Sequence, residues 1–211
     1  MAKGITRQRI VEAALEVLDE GGADAVTVRA VATRLDVKAP ALYWHVAGKQ
    51  ELLDEMATEI QRRVQAAFEP EAATGPLSGL ASYARAVRHE YLLHRDGART
   101  FSGTRLTDPE VLRAQEPWLE AWTAGGATLA EVRTAAELVT AFVVGFVIEE
   151  QERAQSAAED PSRYDVAERD AFVGEDSPLV RETGHLVTDP ESRFETQLGV
   201  VMAGVEGLLG G

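Results

Sequence analysis

Residues able to contact a phosphate backbone are concentrated near the N-terminus, in the run LDVKAPALYWHVAGKQELLDEM from Leu35 to Met56. The run contains three adjacent ring side chains, Tyr43, Trp44 and His45, whereas a core helix spreads its aromatic residues over one face. Hydroxyl and ring N–H groups can donate hydrogen bonds to phosphate oxygens. Lys49 follows at the start of a helix, where its ammonium group and the free backbone N–H groups favour a bound anion.

Two short helices joined by LDVKAP have the size of a helix-turn-helix, whose second helix enters a major groove of DNA. Arg29, at the start of the first of these helices, can then reach a guanine edge or the phosphate backbone. An interior aromatic patch is the alternative interpretation. It accounts well for Trp44 but poorly for Lys49 and Arg29, so the pattern favours DNA binding.

The four histidines are the other residues that could do chemistry, and an enzyme is the rival class. His89 and His94 are five residues apart, so on one helix they point about 140° apart, which is poor geometry for a shared metal ion. The sequence HRDG places His94 beside Asp96, but no nucleophile elbow, P-loop, dinucleotide fingerprint or zinc motif accompanies it. We expect Asp96 to cap the following helix, and we predict no catalytic residues, no metal site and no cofactor.

Four helices position the N-terminal residues. The segment ITRQRIVEAALEVLDEGG has helical apolar spacing, with Thr6 as a cap and the Gly21-Gly22 pair as a stop. Thr27 caps a second short helix, and Pro40 lies in the first turn of a third, where its missing N–H costs nothing. Three short helices contain too little core for independence, so a small head docked on a larger body is predicted.

Composition restricts the class of protein further. The 211 residues are 45 % hydrophobic and 27 % charged, contain no cysteine and carry a net charge of −14, which by itself argues against nucleic acid. The charge is uneven, because residues 1–50 hold seven basic and six acidic side chains whereas residues 51–211 hold fourteen and twenty-nine. No apolar run is long enough for a membrane span and the N-terminus is polar, so we expect a reducing, cytoplasmic location and no membrane partner.

The remainder of the chain reads as helices separated by short breaks, and no strand-like alternation competes, so the predicted fold class is all-α. After a connection at residues 69–78, helices are expected near 77–94, 96–102, 108–124, 129–156, 177–186 and 191–209. The acidic stretch AAEDPSRYDVAERDAFVGEDSP is broken by Pro161, Gly174 and Pro178. We interpret it as a solvated loop, with a lid over a pocket as the alternative.

Two late helices carry wide apolar surfaces that need partners on more than one side. A symmetric dimer joined by a four-helix bundle would provide them, although a central core helix in a monomer is the alternative. The predicted dimer-interface residues are Val139, Phe142, Val143, Phe146, Leu198, Val201, Met202 and Val205.

The segment TVRAVATRLDVKAPALYWHVAGKQELLDEM strongly resembles the DNA-binding domain of the tetracycline repressor (TetR) family, and LLHRDGARTFSGTR and GFVIEEQE resemble the ligand-binding core of its tetracycline repressors. The resemblance implies a homodimeric repressor that binds operator DNA and is released by a small-molecule inducer. It implies a helix-turn-helix domain at 1–48 and a ligand-binding and dimerisation domain at 49–211, with 49–68 as the connecting helix. The predicted DNA-binding residues are Thr27, Arg29, Lys38, Pro40, Tyr43, Trp44, His45 and Lys49.

The resemblance also places the ligand-binding residues, at Gln65, Tyr83, Val87, Phe101, Thr104, Arg105, Pro117 and Glu149. Phe101 occupies the position of the family's metal-binding histidine, and a phenyl ring cannot coordinate a hard cation. We therefore expect a largely apolar inducer bound without metal. A tetracycline-responsive repressor of an efflux gene and a helical sensor that does not bind DNA are the alternatives. Ala39 and Ala41 stand at base-reading positions and cannot hydrogen-bond a base, so the operator should differ from the family's.

Overall fold

The computed structural model describes residues 4–67, 75–186 and 189–209, and every regular element within those ranges is helical. The predicted all-α fold class is confirmed. No helix in these ranges is long and apolar enough to cross a membrane. The N-terminal head consists of three short elements, which are α1 (Arg7–Gly21), α2 (Val28–Arg34) and a 3-10 helix (Ala39–Trp44).

Local chemistry sets the boundaries of the head helices as the sequence predicts. The side chains of Thr6 and Thr27 each accept a hydrogen bond from a backbone N–H in the first turn of the helix that follows. Gly22 ends α1 with a φ of 75°, a conformation that glycine adopts without steric cost. Pro40 lies in the first turn of the third element, which has the tighter 3-10 winding.

The fourth helix, α3 (Lys49–Ala67), packs against α1 of the head and against α4 of the core. Leu52 and Met56 are fully buried along it. Because α3 belongs to both packing units, the division of the chain at residue 48 stays a prediction. Phe68, the predicted last residue of this helix, and residues 69–74 of the predicted connection lie outside the described ranges.

In the described ranges, eight further helices form the core. They are α4 (Pro76–Leu92), α5 (Gly97–Phe101), α6 (Pro109–Arg113), α7 (Glu116–Ala124), α8 (Leu129–Glu159), α9 (Val166–Val173), α10 (Pro178–His185) and α11 (Pro190–Leu209). The helix predicted over 108–124 is divided in two, because Pro117 occupies the first turn of α7. The stretch interpreted as a loop contains α9, which Asp165 caps by accepting from two backbone N–H groups.

The centre of the core is an aromatic contact between the two apolar helices. The rings of Phe142 and Phe146 on α8 and Phe194 on α11 have centroids between 5.2 and 5.8 Å apart. Arg88 of α4 lies over the Phe194 ring at 4.7 Å and donates two hydrogen bonds to Glu150, of 3.0 and 2.9 Å. The ion pair and the ring contact compensate the cost of burying the Arg88 guanidinium, which joins α4, α8 and α11.

The residues predicted to form a dimer interface lie in two environments. Five of them are buried within a single chain, each at most 8 % exposed: Val139, Val143, Phe146, Leu198 and Val205. Three keep partial exposure: Phe142, Val201 and Met202. A side chain already enclosed by its own chain offers little surface to a partner, so the structure assigns the five to the core. The exposed apolar side chains of the same two helices include Leu138 and Val200.

Replacing Phe194 with alanine should lower the free energy of unfolding by about 3–5 kcal/mol, because the change opens a cavity in a fully buried site and removes the ring under Arg88. Chemical denaturation followed by circular dichroism measures this loss. Phe172→Ala is the matched control, since Phe172 is 93 % exposed and should change stability by no more than about 0.5 kcal/mol. Equal losses in both variants would contradict the assignment of Phe194 to the core.

Candidate nucleic-acid interface and ligand-binding core

The aromatic pair of the 3-10 helix faces outward. Trp44 is 89 % exposed and Tyr43 is 54 % exposed, while their neighbours Leu42 and Val46 are buried beneath them. An almost fully exposed indole contributes little to the stability of the head. Its N–H and the phenol O–H are instead free to donate to phosphate oxygens, and His45 follows directly at the end of the same helix.

The cations of the head differ in how far they are already engaged. Arg34 is held by ion pairs with Glu16 and Glu20. Arg29, in the first turn of α2, and Lys38, immediately before the 3-10 helix, are exposed. The two predicted contacts are therefore better placed than Arg34 to neutralise phosphates.

Lys49 is exposed at the first residue of α3, and its Nζ lies 3.4 Å from the carbonyl oxygen of Ala23 in the turn between α1 and α2. Two residues further on, the carboxylate of Glu51 accepts a hydrogen bond of 2.6 Å from the N–H of Ala47. The lysine is thus close to the N-terminal end of α2, where Thr27 and the predicted DNA-binding residues begin. Pro40 is exposed at the start of the 3-10 helix.

Predicted ligand-binding residues follow one stripe of α4 and meet α5. Tyr83, Val87 and Tyr91 stand at four-residue spacing on α4, and the Tyr91 ring lies 5.8 Å from the ring of Phe101. The Tyr83 hydroxyl donates to Gln61 at 3.1 Å, yet burial raises the pKa of Tyr83. Burial, with a smaller effect of the neighbouring Tyr83, raises the pKa of Tyr91 to about 12. Sequence reasoning missed Tyr91, although its spacing from Val87 could have indicated it.

Three polar residues predicted to bind a ligand already have partners in this chain. The Gln65 amide donates to the carbonyl of Val111 at 2.9 Å, and the Thr104 hydroxyl donates to the carbonyl of Phe101 at 2.7 Å. Arg105 donates from its backbone N–H and from Nε to the two carboxylate oxygens of the buried Asp54, both at 3.2 Å. These bonds fasten the segment after α5 to α3, so a ligand that recruits these groups has to replace them.

Tyr83, Val87 and Tyr91 of α4, together with Phe101 of α5, form what we call the aromatic stripe. Two other predicted ligand residues do not join this stripe within one chain. Pro117 is exposed in the first turn of α7. Glu149 is exposed on α8 and forms an ion pair with Arg153. It lines, together with Phe142 and Arg193, a cavity of about 320 Å³ between α8 and α11. Their assignment to a ligand site remains a prediction.

The HRDG segment has a different role from the one its spacing indicates. α4 ends at Leu92, so His89 and His94 do not share a helix, and the buried His94 instead places Nδ1 2.9 Å from a carboxylate oxygen of Asp19. Asp96 precedes α5 but makes no side-chain cap, so that prediction is wrong. Its carboxylate contacts other elements. Among the side chains of the described ranges, no three His, Asp or Glu residues are grouped to hold a metal ion.

A small helical head with an outward aromatic pair and free cations, mounted on an all-helical core, defines a helix-turn-helix DNA-binding regulator. Residues 10–56 match the model of bacterial regulatory proteins of the tetR family, and residues 70–209 match the tetracyclin repressor-like C-terminal domain. The chain belongs to the TetR family, whose members are ligand-responsive transcriptional regulators.

Individual relatives agree with this assignment over nearly the whole chain. The class A tetracycline repressor from transposon 1721 of Escherichia coli is 33 % identical over 198 residues, which cover 93 % of this chain and 88 % of that protein. A possible TetR family regulator from Streptomyces coelicolor A3(2) superposes with a TM-score of 0.78 at 33 % identity, covering 96 % of this chain and all of that chain. A class A TetR in complex with 5a,6-anhydrotetracycline and magnesium gives a TM-score of 0.67 at 30 % identity, with coverage of 94 % and 96 %.

Lys49→Ala should weaken binding to operator DNA across sequences and lower the slope of log affinity against log salt by about 1 for each protomer, as expected for one lost phosphate contact. Fluorescence anisotropy over a range of salt concentrations measures both quantities. Arg133→Ala is the control, since it also removes an exposed cation but lies on α8 in an ion pair with Glu137. Unchanged affinity and slope in Lys49→Ala would show that the DNA-binding surface lies elsewhere.

Proposed function

We propose that this chain represses transcription by binding a palindromic operator as a homodimer in the cytoplasm, and that a small, largely apolar molecule releases it. The observation that carries the proposal is the pair Tyr43 and Trp44, exposed on the 3-10 helix of a head that also exposes Arg29 and Lys38. A helical sensor without DNA-binding activity would have no use for such a surface. Family membership supports the same reading.

The dimer that we propose uses the outer faces of α8 and α11. Leu138 and Val200 are exposed there at 46 % and 72 %. Gly145 and Gly204 lie on the same helices, and a Cβ added at either would meet no atom within 4 Å. Small residues beside exposed apolar ones permit close approach of two helices, and a two-fold axis would pair both helices with their copies in a four-helix bundle.

The inducer is proposed from the chemistry of the aromatic stripe. The relative solved with 5a,6-anhydrotetracycline also contains magnesium. Here Phe101, Val87, Tyr83 and Tyr91 provide a phenyl ring, an isopropyl group and two phenols whose pKa values burial raises. A hard cation requires charged or carbonyl oxygens or an imidazole, so this set does not fit magnesium. It suits an aromatic or polycyclic molecule with few polar groups.

The mechanism that we propose runs through α3. Its first residue, Lys49, lies beside the head, and near its other end Gln65 is bonded to Val111 of α6. A ligand that enters between α4 and α5 would favour a second arrangement of the segment bonded to α3, in which the two heads no longer match successive major grooves about 34–36 Å apart. Such release requires unequal affinity of the ligand for the two arrangements.

Anisotropy with DNA taken from beside the chain's own gene tests the proposal as a whole. Nanomolar, salt-dependent binding that survives excess unrelated DNA is expected of a repressor. A helical sensor that binds small molecules only would show no specific complex. A thermal-shift screen of polycyclic compounds on the same protein then identifies ligands, and those that also dissociate the complex are inducers.

Tetracycline should bind this chain weakly and without dependence on magnesium. Each buried polar group of the drug left without a partner costs about 1–3 kcal/mol, and each 1.4 kcal/mol is about a factor of ten, so two or three such losses lower affinity about a hundredfold or more. Calorimetry with tetracycline in magnesium and in EDTA decides the question. Sub-micromolar binding that requires magnesium would show that Glu149, or another residue such as His94, takes the place of the missing metal ligand and that the proposed apolar site is wrong.

Val200→Glu should abolish the dimer while leaving the chain folded, because the carboxylate would be buried without a partner at a cost of several kcal/mol in the bundle but is solvated in a monomer. Sedimentation and circular dichroism report the two properties separately. Leu129→Glu is the matched control, since Leu129 is similarly exposed but lies at the first residue of α8. Phe146→Glu would be less selective, because Phe146 is buried in its own chain. If the Val200→Glu variant still formed a dimer, the dimer interface would have to lie on another surface.

A further inference from the structure

The turn between α4 and α5 brings the head, α4 and α8 together. Asp96 adopts a left-handed backbone conformation there, with φ of 55°. Gly97 follows, and a Cβ added to it would lie 2.3 Å from the carbonyl oxygen of Tyr91, so only glycine fits this tight closure. From α8, the Gln151 amide donates to the carbonyls of Tyr91 and His94 at 3.0 and 2.7 Å. The turn is therefore held firmly against the longest helix of the core.

The Asp96 carboxylate bridges the head and α8. One oxygen accepts a hydrogen bond of 3.0 Å from the backbone N–H of Ala23, in the turn between α1 and α2. The other oxygen accepts a bond of 2.8 Å from the side-chain amide of Gln155 on α8. A Cβ added to Gly22 would lie 2.6 Å from the first oxygen, so the head backbone rests directly on the carboxylate.

The head side of this bridge leads to a proposed phosphate contact. The carbonyl of Ala23 faces the ammonium group of Lys49 at 3.4 Å, so the same residue contacts Asp96 through its N–H and Lys49 through its oxygen. His94 adds a second link from the same turn by its 2.9 Å contact with Asp19 of α1.

We propose that Asp96 is a positioning residue, which sets the angle of the DNA-binding head on the core by joining Ala23 to Gln155. In a symmetric dimer this angle sets the separation of the two heads, and hence which spacing of operator half-sites they fit. The part of this proposal that concerns half-site spacing rests on the proposed function. The proposal places Asp96, the aspartate of HRDG, at the joint between head and core.

The electrostatics of the joint support an ionised bridge. Burial acts to raise the pKa of Asp96, but the hydrogen bonds from Gln155 and Ala23 and the charges of Arg95 and Arg99 outweigh it, so the pKa lies below its ordinary value. Two carboxylate oxygens are then available as acceptors near neutral pH, and hydrogen bonds to an ionised acceptor are stronger than neutral ones.

Two substitutions of Asp96 test the bridge. Asp96→Gly removes the carboxylate and both of its bonds, and glycine still allows the left-handed backbone of this position. Asp96→Asn keeps both bonds, because its side-chain oxygen can accept from Ala23 and its N–H₂ group can donate to the Gln155 oxygen once that amide rotates. Asp176→Asn, at an exposed position far along the chain, controls for the loss of one negative charge.

Two readouts are measured on each full-length variant. The first is the hydrogen-exchange rate of the Ala23 amide. The second is the ratio of affinities for DNA from beside the chain's own gene with its native half-site spacing and with two base pairs inserted. Asp96→Gly should speed the exchange about tenfold and lower the spacing preference about tenfold, the effect of losing a charge-assisted hydrogen bond. Asp96→Asn should stay close to the wild type in both values, and Asp176→Asn should change neither.

Wild-type exchange and spacing preference in Asp96→Gly, or losses in Asp96→Asn as large as those in Asp96→Gly, would overturn the positioning role. If the wild-type chain bound no operator, the proposed function would fail, and the exchange of the Ala23 amide alone would decide the role of Asp96. Should Asp96→Gly fail to fold, Gln155→Ala releases one side of the bridge instead. It is expected to lower the spacing preference in the same direction, and an unchanged preference would equally refute the role.

Discussion

Helix α3 is shared by the two parts of the molecule, and the other contacts follow from that sharing. A head of three short helices cannot enclose enough apolar surface by itself, so Leu52 and Met56 of α3 are buried with it. Further along, Asp54 and Thr58 of the same helix bind the segment that contains Arg105. With 19 residues α3 is roughly 28 Å long at 1.5 Å per residue, so a displacement at one end is carried to the other.

The joints between head and core differ in chemistry from the interior of the core. Beside the apolar contact of the head with Leu52 and Met56 of α3, Asp96, His94 and Arg7 make polar contacts across the joint, and these are hydrogen bonds and ion pairs that water can replace. The net value of one such bond is about 0.5–1.5 kcal/mol, whereas truncating a buried aromatic ring such as Phe194 costs about 3–5 kcal/mol. A head held by exchangeable polar bonds on a rigid apolar core is suited to two arrangements that a ligand can bias.

Membership of a family and recognition of a ligand depend on different residues. The helical frame requires only that apolar stripes, caps and tight turns such as the one at Gly97 be kept, which many side chains satisfy. Ligand chemistry depends on a few atoms at the surface of the pocket. If, as the resemblance implies, Phe101 stands where the family has a metal-binding imidazole, the phenyl ring leaves the frame intact and provides no metal donor, and we propose that this fold then serves a different inducer.

The sequence by itself determined the helical fold and the helices of the head, because caps such as Thr6 and Thr27 and the spacing of apolar residues act over a few positions of one helix. Only the structure shows that both Tyr43 and Trp44 face outward. The sequence could not decide which stripe of α8 faces inward. Both sides of that helix are apolar, and only packing against α4 and α11 buries Val139 and leaves Leu138 exposed. For the same reason Asp96 resembles a helix cap in sequence. Its carboxylate meets Ala23 and Gln155, which are 73 and 59 residues away along the chain, and such contacts exist only once the tertiary structure has formed.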